Sequence, residues 1–356
     1  DRCLGCLSCT TTCPSGVDYP HLLDIGRAKL DKLVPRRFAD KMMRRLLGMI
    51  IPYAGRFRMI IALARIGRLF SGAMPTALRA ALTKIPAELK PFDRVGGHDA
   101  VFSPDKKPVK RVALLAGCAQ RALDPEINAS TIRVLNRLGV EVVVRSEVHC
   151  CGALAHHIGE TDRAHHTVRA AVLAWYDEMK SGGLDAIVVN ASGCGTMVKD
   201  YGHMMKDDAE LAAIAKAVSD KCVDISELLD NLDVESILQS APAEGRGKVA
   251  YHSACSLQHG QKIHDLPLRL LRQAGFDVVQ PLNGHLCCGS AGVYNILQPE
   301  MADELKARKL DSLDNTGAQF VAAGNIGCIT QLNRKDLPVR HTVQFIDWAT
   351  GGPNPR

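Results

Sequence analysis

An α/β fold, with two duplicated βαβ-type modules preceded by an α-helical segment, is predicted for this 356-residue chain by three observations. From about residue 109 onward, short apolar runs of strand length alternate with stretches of helical periodicity. Near Lys248 the series restarts with the same order of elements and the same cysteine punctuation. Aromatic residues make up 4% of the chain against 46% hydrophobic residues in all, a composition suited to tight helix-on-sheet packing and unlike that of an all-β protein.

Taken in order, Pro20 introduces a helical pattern through Leu22, Leu23 and Ile25. From about 31 to 90, basic and apolar residues alternate at helical spacing and are broken by Pro35, Pro52, Pro75 and Pro86, which reads as several helices joined by turns. Residues 91–108 read as a polar linker. Strands are expected at 109–116, 140–144 and 185–190, with a helix over 125–138, and again at 249–252, 276–279 and 319–322. The length exceeds what one core usually organises. The expected organisation is a cysteine-bearing segment at 1–34, basic amphipathic helices and linker at 35–107, a first module at 108–241 and a second at 242–356.

The 13 cysteines stand in short clusters rather than spread as a disulfide framework, which points to metal ligation in a reducing compartment. No run approaches 18 apolar residues and no export pattern is present, so a cytoplasmic location is expected. The chain starts at Asp1 with a cysteine motif two residues later, and a preceding segment is therefore expected.

Cys3, Cys6, Cys9, Cys13 and Pro14 have the spacing C-x-x-C-x-x-C-x-x-x-C-P of bacterial ferredoxins. Soft thiolates suit iron-sulfur clusters, and this spacing wraps three corners of a cube while the fourth cysteine turns away to serve another cluster. Cys3, Cys6 and Cys9 are expected to hold one [4Fe-4S] cluster and Cys13 to complete a second. The partner motif is not in this sequence, so the chain as written lacks the ligands for both clusters. A zinc ribbon or a disulfide cluster is the competing reading, and it fits less well because zinc ribbons favour two separated C-x-x-C knuckles.

In each repeat a cysteine follows the first strand, a Cys-Cys-Gly the second and a Gly-Cys the third. The copies are Cys118, Cys150, Cys151 and Cys194, then Cys255, Cys287, Cys288 and Cys328. At the carboxyl edge of a parallel sheet these thiols can converge, with helix amino termini and the glycines Gly152, Gly193, Gly289 and Gly327 bringing backbone N–H groups close. Four thiolates per copy match the ligand count of a [4Fe-4S] cluster. A four-thiolate zinc site, a redox-active vicinal disulfide and structural burial remain open alternatives. The thirteenth cysteine, Cys222, reads as a core residue.

These residues resemble the CCG cysteine-rich domain family shared by heterodisulfide reductase subunits, anaerobic glycerol-3-phosphate dehydrogenase subunits and lactate or glycolate oxidase subunits, and within it the glycolate oxidase iron-sulfur subunits. The resemblance runs through Asp1-Arg2-Cys3-Leu4, Thr12-Cys13-Pro14-Ser15-Gly16-Val17, Leu22 to Arg27, Gly117-Cys118-Ala119-Gln120, Ala191 to Gly195, His285 to Gly292 and Asn325 to Cys328. It implies a ferredoxin-like start, two [4Fe-4S] clusters in the full-length protein, and a non-flavin subunit of a glycolate dehydrogenase or oxidase. Such a subunit passes electrons from FAD-containing dehydrogenase subunits toward the respiratory chain and its quinone pool. Met197 and Gln331 stand where the wider family carries a further cysteine in each module, which argues against a cluster needing five thiolates.

Between Arg27 and Arg68 twelve Lys or Arg face two acidic residues, Asp31 and Asp40, a local excess larger than the net charge of +6. Interleaved with Met42, Met43, Leu46, Leu47, Ile50, Ile51, Ile60, Ile61 and Leu63, these charges suggest amphipathic helices that either pack with solvated basic faces or lie on an anionic membrane surface, peripheral to its inner face. No nucleic-acid motif accompanies the charge. His149, His252 and His285 lie beside the vicinal cysteines, as core or loop residues or as groups that tune a cluster. No catalytic residues are assigned, because no G-x-G-x-x-G, P-loop or nucleophile motif is present and the substrate chemistry is expected in a flavin-bearing partner. Two other classes of function stay open, a thiol-disulfide reductase of the heterodisulfide type and a metal-stapled interaction scaffold.

Overall fold

The computed structural model describes residues 2–67, 90–91, 95–243 and 245–355. Asp1, Arg68, the expected turns at Pro75 and Pro86, and positions 92–94 of the expected linker lie outside the described residues.

Four helices open the chain: α1 (Ser8–Thr12), α2 (Tyr19–Leu33), α3 (Phe38–Ile50) and α4 (Ala54–Gly67). Asp18 caps α2 by accepting from the His21 amide, and Pro20 sits in its first turn, where the missing N–H costs nothing. α3 and α4 meet at a bend of 118° around Pro52. No single helix among the described residues is long and apolar enough to cross a membrane.

Two sheets follow. The first contains β1 (Ala100–Phe102), β2 (Lys110–Leu114), β3 (Val140–Val144), β4 (Ala186–Val189) and β5 (Cys222–Asp224) in the order β1-β3-β2-β4-β5. The second contains β6 (Lys248–His252), β7 (Asp277–Val279), β8 (Phe320–Ala323) and β9 (Val339–His341) in the order β7-β6-β8-β9. With the antiparallel β1 set aside, both sheets are parallel and share one strand order, so the duplication read from cysteine spacing is also a duplication of topology. β1 lies inside the stretch expected to be linker and pairs with β3.

The period-two alternation of β2 sorts its residues between two cores. Ala113 and Leu115 pack with Val168, Trp175 and Tyr201 on the outer face, while Val112 and Leu114 join Ile127, Leu135, Val249, Tyr251, Phe276 and Phe345. This second cluster contains residues of both sheets and is continuous across the two modules. The helix Glu126–Arg137 of the first module packs on the last helix of the second, Thr342–Ala349, and Ile225–Asp230 packs on Leu266–Gln273. Both contacts carry ions: Arg133 and Arg137 reach the buried Asp347, and Arg269 reaches Asp230.

Candidate functional site

The sites form where the sheets end. The last residues of β2, β3 and β4 deliver Cys118, Cys150-Cys151 and Cys194 to the carboxyl edge of the first sheet, and β6, β7 and β8 do the same for Cys255, Cys287-Cys288 and Cys328. In the first module the Cys150 sulfur lies 3.6 Å from that of Cys118, and the Cys151 and Cys194 thiols hydrogen-bond each other. In the second, the Cys288 and Cys328 sulfurs lie 3.2 Å apart and Cys255 is hydrogen-bonded to Cys287. All four expected residues of each copy are therefore brought together. Cys222 sits apart, buried in the outer core.

Gly152 and Gly289 follow the vicinal pairs in the left-handed conformation, at φ +84° and +83°, and their amides donate to the Cys150 and Cys287 sulfurs at 3.4 Å. A side chain at Gly289 would strike the Ala302 carbonyl oxygen at 2.5 Å, and one at Gly327 would meet the Ser290 hydroxyl at 2.8 Å. Gly193 meets only ordinary contacts, so the close approach expected there is not required. Tyr201, buried in the outer core, donates its hydroxyl to the Cys151 carbonyl at 2.9 Å and fixes the first vicinal pair.

The two copies differ electrostatically. In the first, hydrogen bonding to Cys150 and then burial push the Cys118 thiol far up, and Cys151 is likewise raised. In the second, the hydrogen bonds from Cys255 and Cys288 hold Cys287 well below a normal thiol. Cys328 falls to about 6 because Cys288 donates to it and His252 lies beside it, against the effect of burial. The second site thus divides, Cys287 and Cys328 being favoured as thiolates while their donors Cys255 and Cys288 are pushed up, whereas Cys118, Cys150 and Cys151 of the first are all raised.

His252 and Lys309 also set the second site apart from the first. His252 is 1% exposed at the end of β6, and its ring nitrogens and the Cys288 and Cys328 sulfurs supply ligand atoms within 4.8 Å of one another. Lys309, fully buried, donates to the Asn283 and Gly284 carbonyls at 3.2 Å, and burial lowers its ammonium while the cysteines of the second site oppose the shift. Lys309 escaped the sequence reading. Its signal was a charge on the apolar face of the helix Pro299–Asp314, in line with Ala302 and Leu313. His149 stacks on Tyr53 at the edge of the first site, and the exposed His285 lines a cavity of about 210 Å³ with Tyr251, Ser253, Gln258, His264 and Gln280.

The amino-terminal motif docks on the second site. Gly5 and Leu7 take φ values of 66° and 61°, which curls the Cys3–Cys9 loop, and α1 follows. Burial raises the Cys6 thiol, with Cys287, Cys3 and Cys9 adding to it. Cys13 turns away at the end of α1, where the Val17 and Ser15 amides lower its thiol. Thr11 hydrogen-bonds His259 at 2.7 Å, and Tyr294 donates to the Arg2 carbonyl at 3.0 Å. His259 belongs to a one-turn π-helix, Ser256–Gly260, directly after Cys255; such turns recur at functional sites. The two modules share a wall here, since Ser192 and Ser256 hydroxyls meet at 2.7 Å and the Ser192 amide donates to the Gly324 carbonyl at 3.0 Å.

Buried soft thiols in groups of four fit transition-metal ligation. Thiolates around one tetrahedral ion stand about 3.8 Å apart, given metal–sulfur bonds of about 2.3 Å. The paired thiols here, at 3.2 and 3.6 Å, are hydrogen-bonded to each other and must separate to admit a metal or cluster. Cys3, Cys6 and Cys9 lie close enough for Cys3 and Cys9 to raise the Cys6 thiol.

Comparison with known proteins matches the cysteine-rich CCG domain model twice, at residues 112–199 and 249–333. Among characterised sequences, the chain is 37% identical over 350 residues to the glycolate oxidase iron-sulfur subunit of Escherichia coli, covering 98% of this chain and 81% of that protein. It is 30% identical to a probable glycolate oxidase iron-sulfur subunit of Bacillus subtilis, covering 93% and 76%. Lactate utilization protein A of Anoxybacillus flavithermus matches at 27% over 64% of this chain and 94% of its own length.

Proposed function

We propose, because this chain belongs to the family of glycolate oxidase iron-sulfur subunits, that it is the electron-transfer subunit of a flavin-linked 2-hydroxy-acid oxidase. It binds iron-sulfur groups and works beside a flavoprotein subunit that performs the substrate chemistry. The observation that carries this reading is the docking of the Cys3–Cys13 motif on the second cysteine site, where Cys6 and Cys287 act on each other electrostatically.

In finer detail, Cys3, Cys6 and Cys9 hold three corners of a [4Fe-4S] cluster and Cys13 belongs to a second. Cys118, Cys150, Cys151 and Cys194 form one further metal site, and Cys255, Cys287, Cys288 and Cys328 another. Bound iron-sulfur groups supply one-electron carriers. The protein's part is to place them: the left-handed loop residues, the glycines after each vicinal pair and the shared wall fix their spacing, and burial keeps water away.

Membrane association is supported by α3 and α4. Phe38 is 80% exposed and Met59, Leu63 and Ile66 are 57–58% exposed, on helices that also carry Arg37, Lys41, Arg45, Arg56 and Arg65. On this reading the complex sits on the cytoplasmic face of a membrane and delivers electrons to a quinone. A single experiment tests the reading. The full-length protein, purified with its co-expressed flavoprotein, is mixed with glycolate or lactate under anaerobic conditions and followed by EPR. Reduced iron-sulfur signals that require the flavoprotein support it; flavin reduction with silent iron-sulfur centres refutes it.

A further inference from the structure

We propose that His252 is a metal ligand, so that the second module binds its metal centre through a mixed imidazole and thiolate donor set while the first uses sulfur alone. The inference rests on the reading that the second module carries an iron-sulfur centre.

Three observations carry it. The first is geometric: the ligand atoms of His252, Cys288 and Cys328 lie within 4.8 Å of one another, all three residues buried. The second is the state of the ring. Neither nitrogen of His252 has a nitrogen or oxygen partner among the described residues, and sulfur from Cys328 is its neighbour. A buried imidazole normally satisfies at least one nitrogen with oxygen or nitrogen, because the unpaired group has lost its water. A metal takes that lone pair.

The third observation is the internal control that the duplication supplies. Aligned on Cys118 and Cys255, the position of His252 is Leu115 in the first copy. Ala164 and Ala302 each approach the glycine after the vicinal pair, which sets the helix register and places Ala171 where the second copy has Lys309. Lys309 is fully buried, with no carboxylate at ion-pair distance among the described residues, and the four thiols of the second site are the acidic groups acting on it. A buried ammonium requires a counter-charge. An anionic cluster or its thiolate ligands provide one, so the same copy that gained an imidazole also gained a buried cation facing its thiols. A neutral imidazole donor adds no negative charge, and the buried Lys309 ammonium favours the more negative, reduced form of a centre, so the second centre is the higher-potential one.

The experiment uses the full-length protein in its complex with the flavoprotein. Iron and sulfide are counted, potentials are titrated, and ¹⁴N couplings are recorded by pulsed EPR for the natural protein and for His252→Cys, His252→Leu and Cys288→Ala. The expected result is a strongly coupled ¹⁴N signal that His252→Cys removes while iron is retained and the potential falls. His252→Leu, which copies the first module and keeps all four cysteines, is expected to lose the strongly coupled ¹⁴N signal. Unchanged couplings and potential in His252→Cys, or a strongly coupled ¹⁴N signal that persists in His252→Leu, would overturn the ligand assignment. Should Cys288→Ala leave the iron count of the natural complex unchanged, the iron-sulfur reading of the second module itself fails, and the ligand assignment with it.

Discussion

Arg137 of the first module donates to the fully buried carboxylate of Asp347 in the second at 2.6 Å, across 210 residues of chain. Arg133 grips the same carboxylate from the neighbouring turn of its helix. Asp347→Ala leaves two arginines that are about one third exposed and can rehydrate, and a loss of about 2 kcal/mol is expected in urea unfolding. The double variant Arg133→Ala with Arg137→Ala strands the buried carboxylate and costs more, about 3–5 kcal/mol. Equal losses would show that the pair does not bear on stability as placed.

Gly289 and Gly152 separate by the space around them. Both have positive φ, which costs a side chain about 1–2 kcal/mol. Only Gly289→Ala also meets a backbone oxygen at 2.5 Å, against 3.3 Å to a movable Val168 methyl at Gly152. Gly289→Ala is expected to abolish metal binding in the second module and lower the melting temperature sharply, whereas Gly152→Ala gives a mild shift. Metal analysis with thermal unfolding checks both.

Cys222 is buried in the outer core, and burial pushes its thiol up to about 12. It is expected to resist alkylation in the native protein, and Cys222→Val to keep the full metal content with a change of less than about 1.5 kcal/mol in stability. Loss of iron in that variant would make Cys222 a ligand.

Lys309→Met removes a buried cation whose counter-charge comes with the metal. The metal-free variant is expected to unfold at higher urea concentration than the metal-free natural protein, since a buried unpaired ammonium is destabilising. The loaded variant is expected to release its metal faster to a chelator. A uniform loss in both states would mean that the two carbonyl contacts alone justify the lysine.

His21 of α2 hydrogen-bonds Asp18 at 2.5 Å and Asp200 of the first module at 2.9 Å, and stacks on His203. Burial lowers its affinity for a proton, but the two aspartates outweigh it and the net shift is upward. The contribution of a group raised in the folded state is complete below its unfolded value of about 6.5 and is lost as pH rises through the folded value. Hydrogen exchange in α2 should therefore accelerate as pH rises above about 6.5 beyond its intrinsic pH dependence, and His21→Gln should remove that excess.

Much of this was legible in the sequence. The run 140–144 is a strand over its expected residues because four valines in five positions leave little choice, and the matching spacing of the two cysteine sets exposed the duplication. β5 and β9, three residues each, were missed because, unlike the equally short β7, they fall outside the repeating strand-and-cysteine punctuation. Their signature lay in the caps that end them, Asp224 with Glu227 and His341 with Gln344, each a reciprocal capping box. The docking of Cys6 against Cys287 had no local signal, since it depends on how the opening loop packs on a module about 280 residues away. His252 was noticed, but its distinctness shows only when its neighbours are compared with Leu115 and Ala171 of the other copy.

The continuous core across the modules also sets an order in time. During synthesis the helix Glu126–Arg137 leaves the ribosome long before Thr342–Ala349 exists to cover it, and at about 5–20 residues per second the wait is tens of seconds. Through that interval one face of the first module stands bare and its arginines lack Asp347. A chain ending before Thr342 would leave that apolar face without its cover.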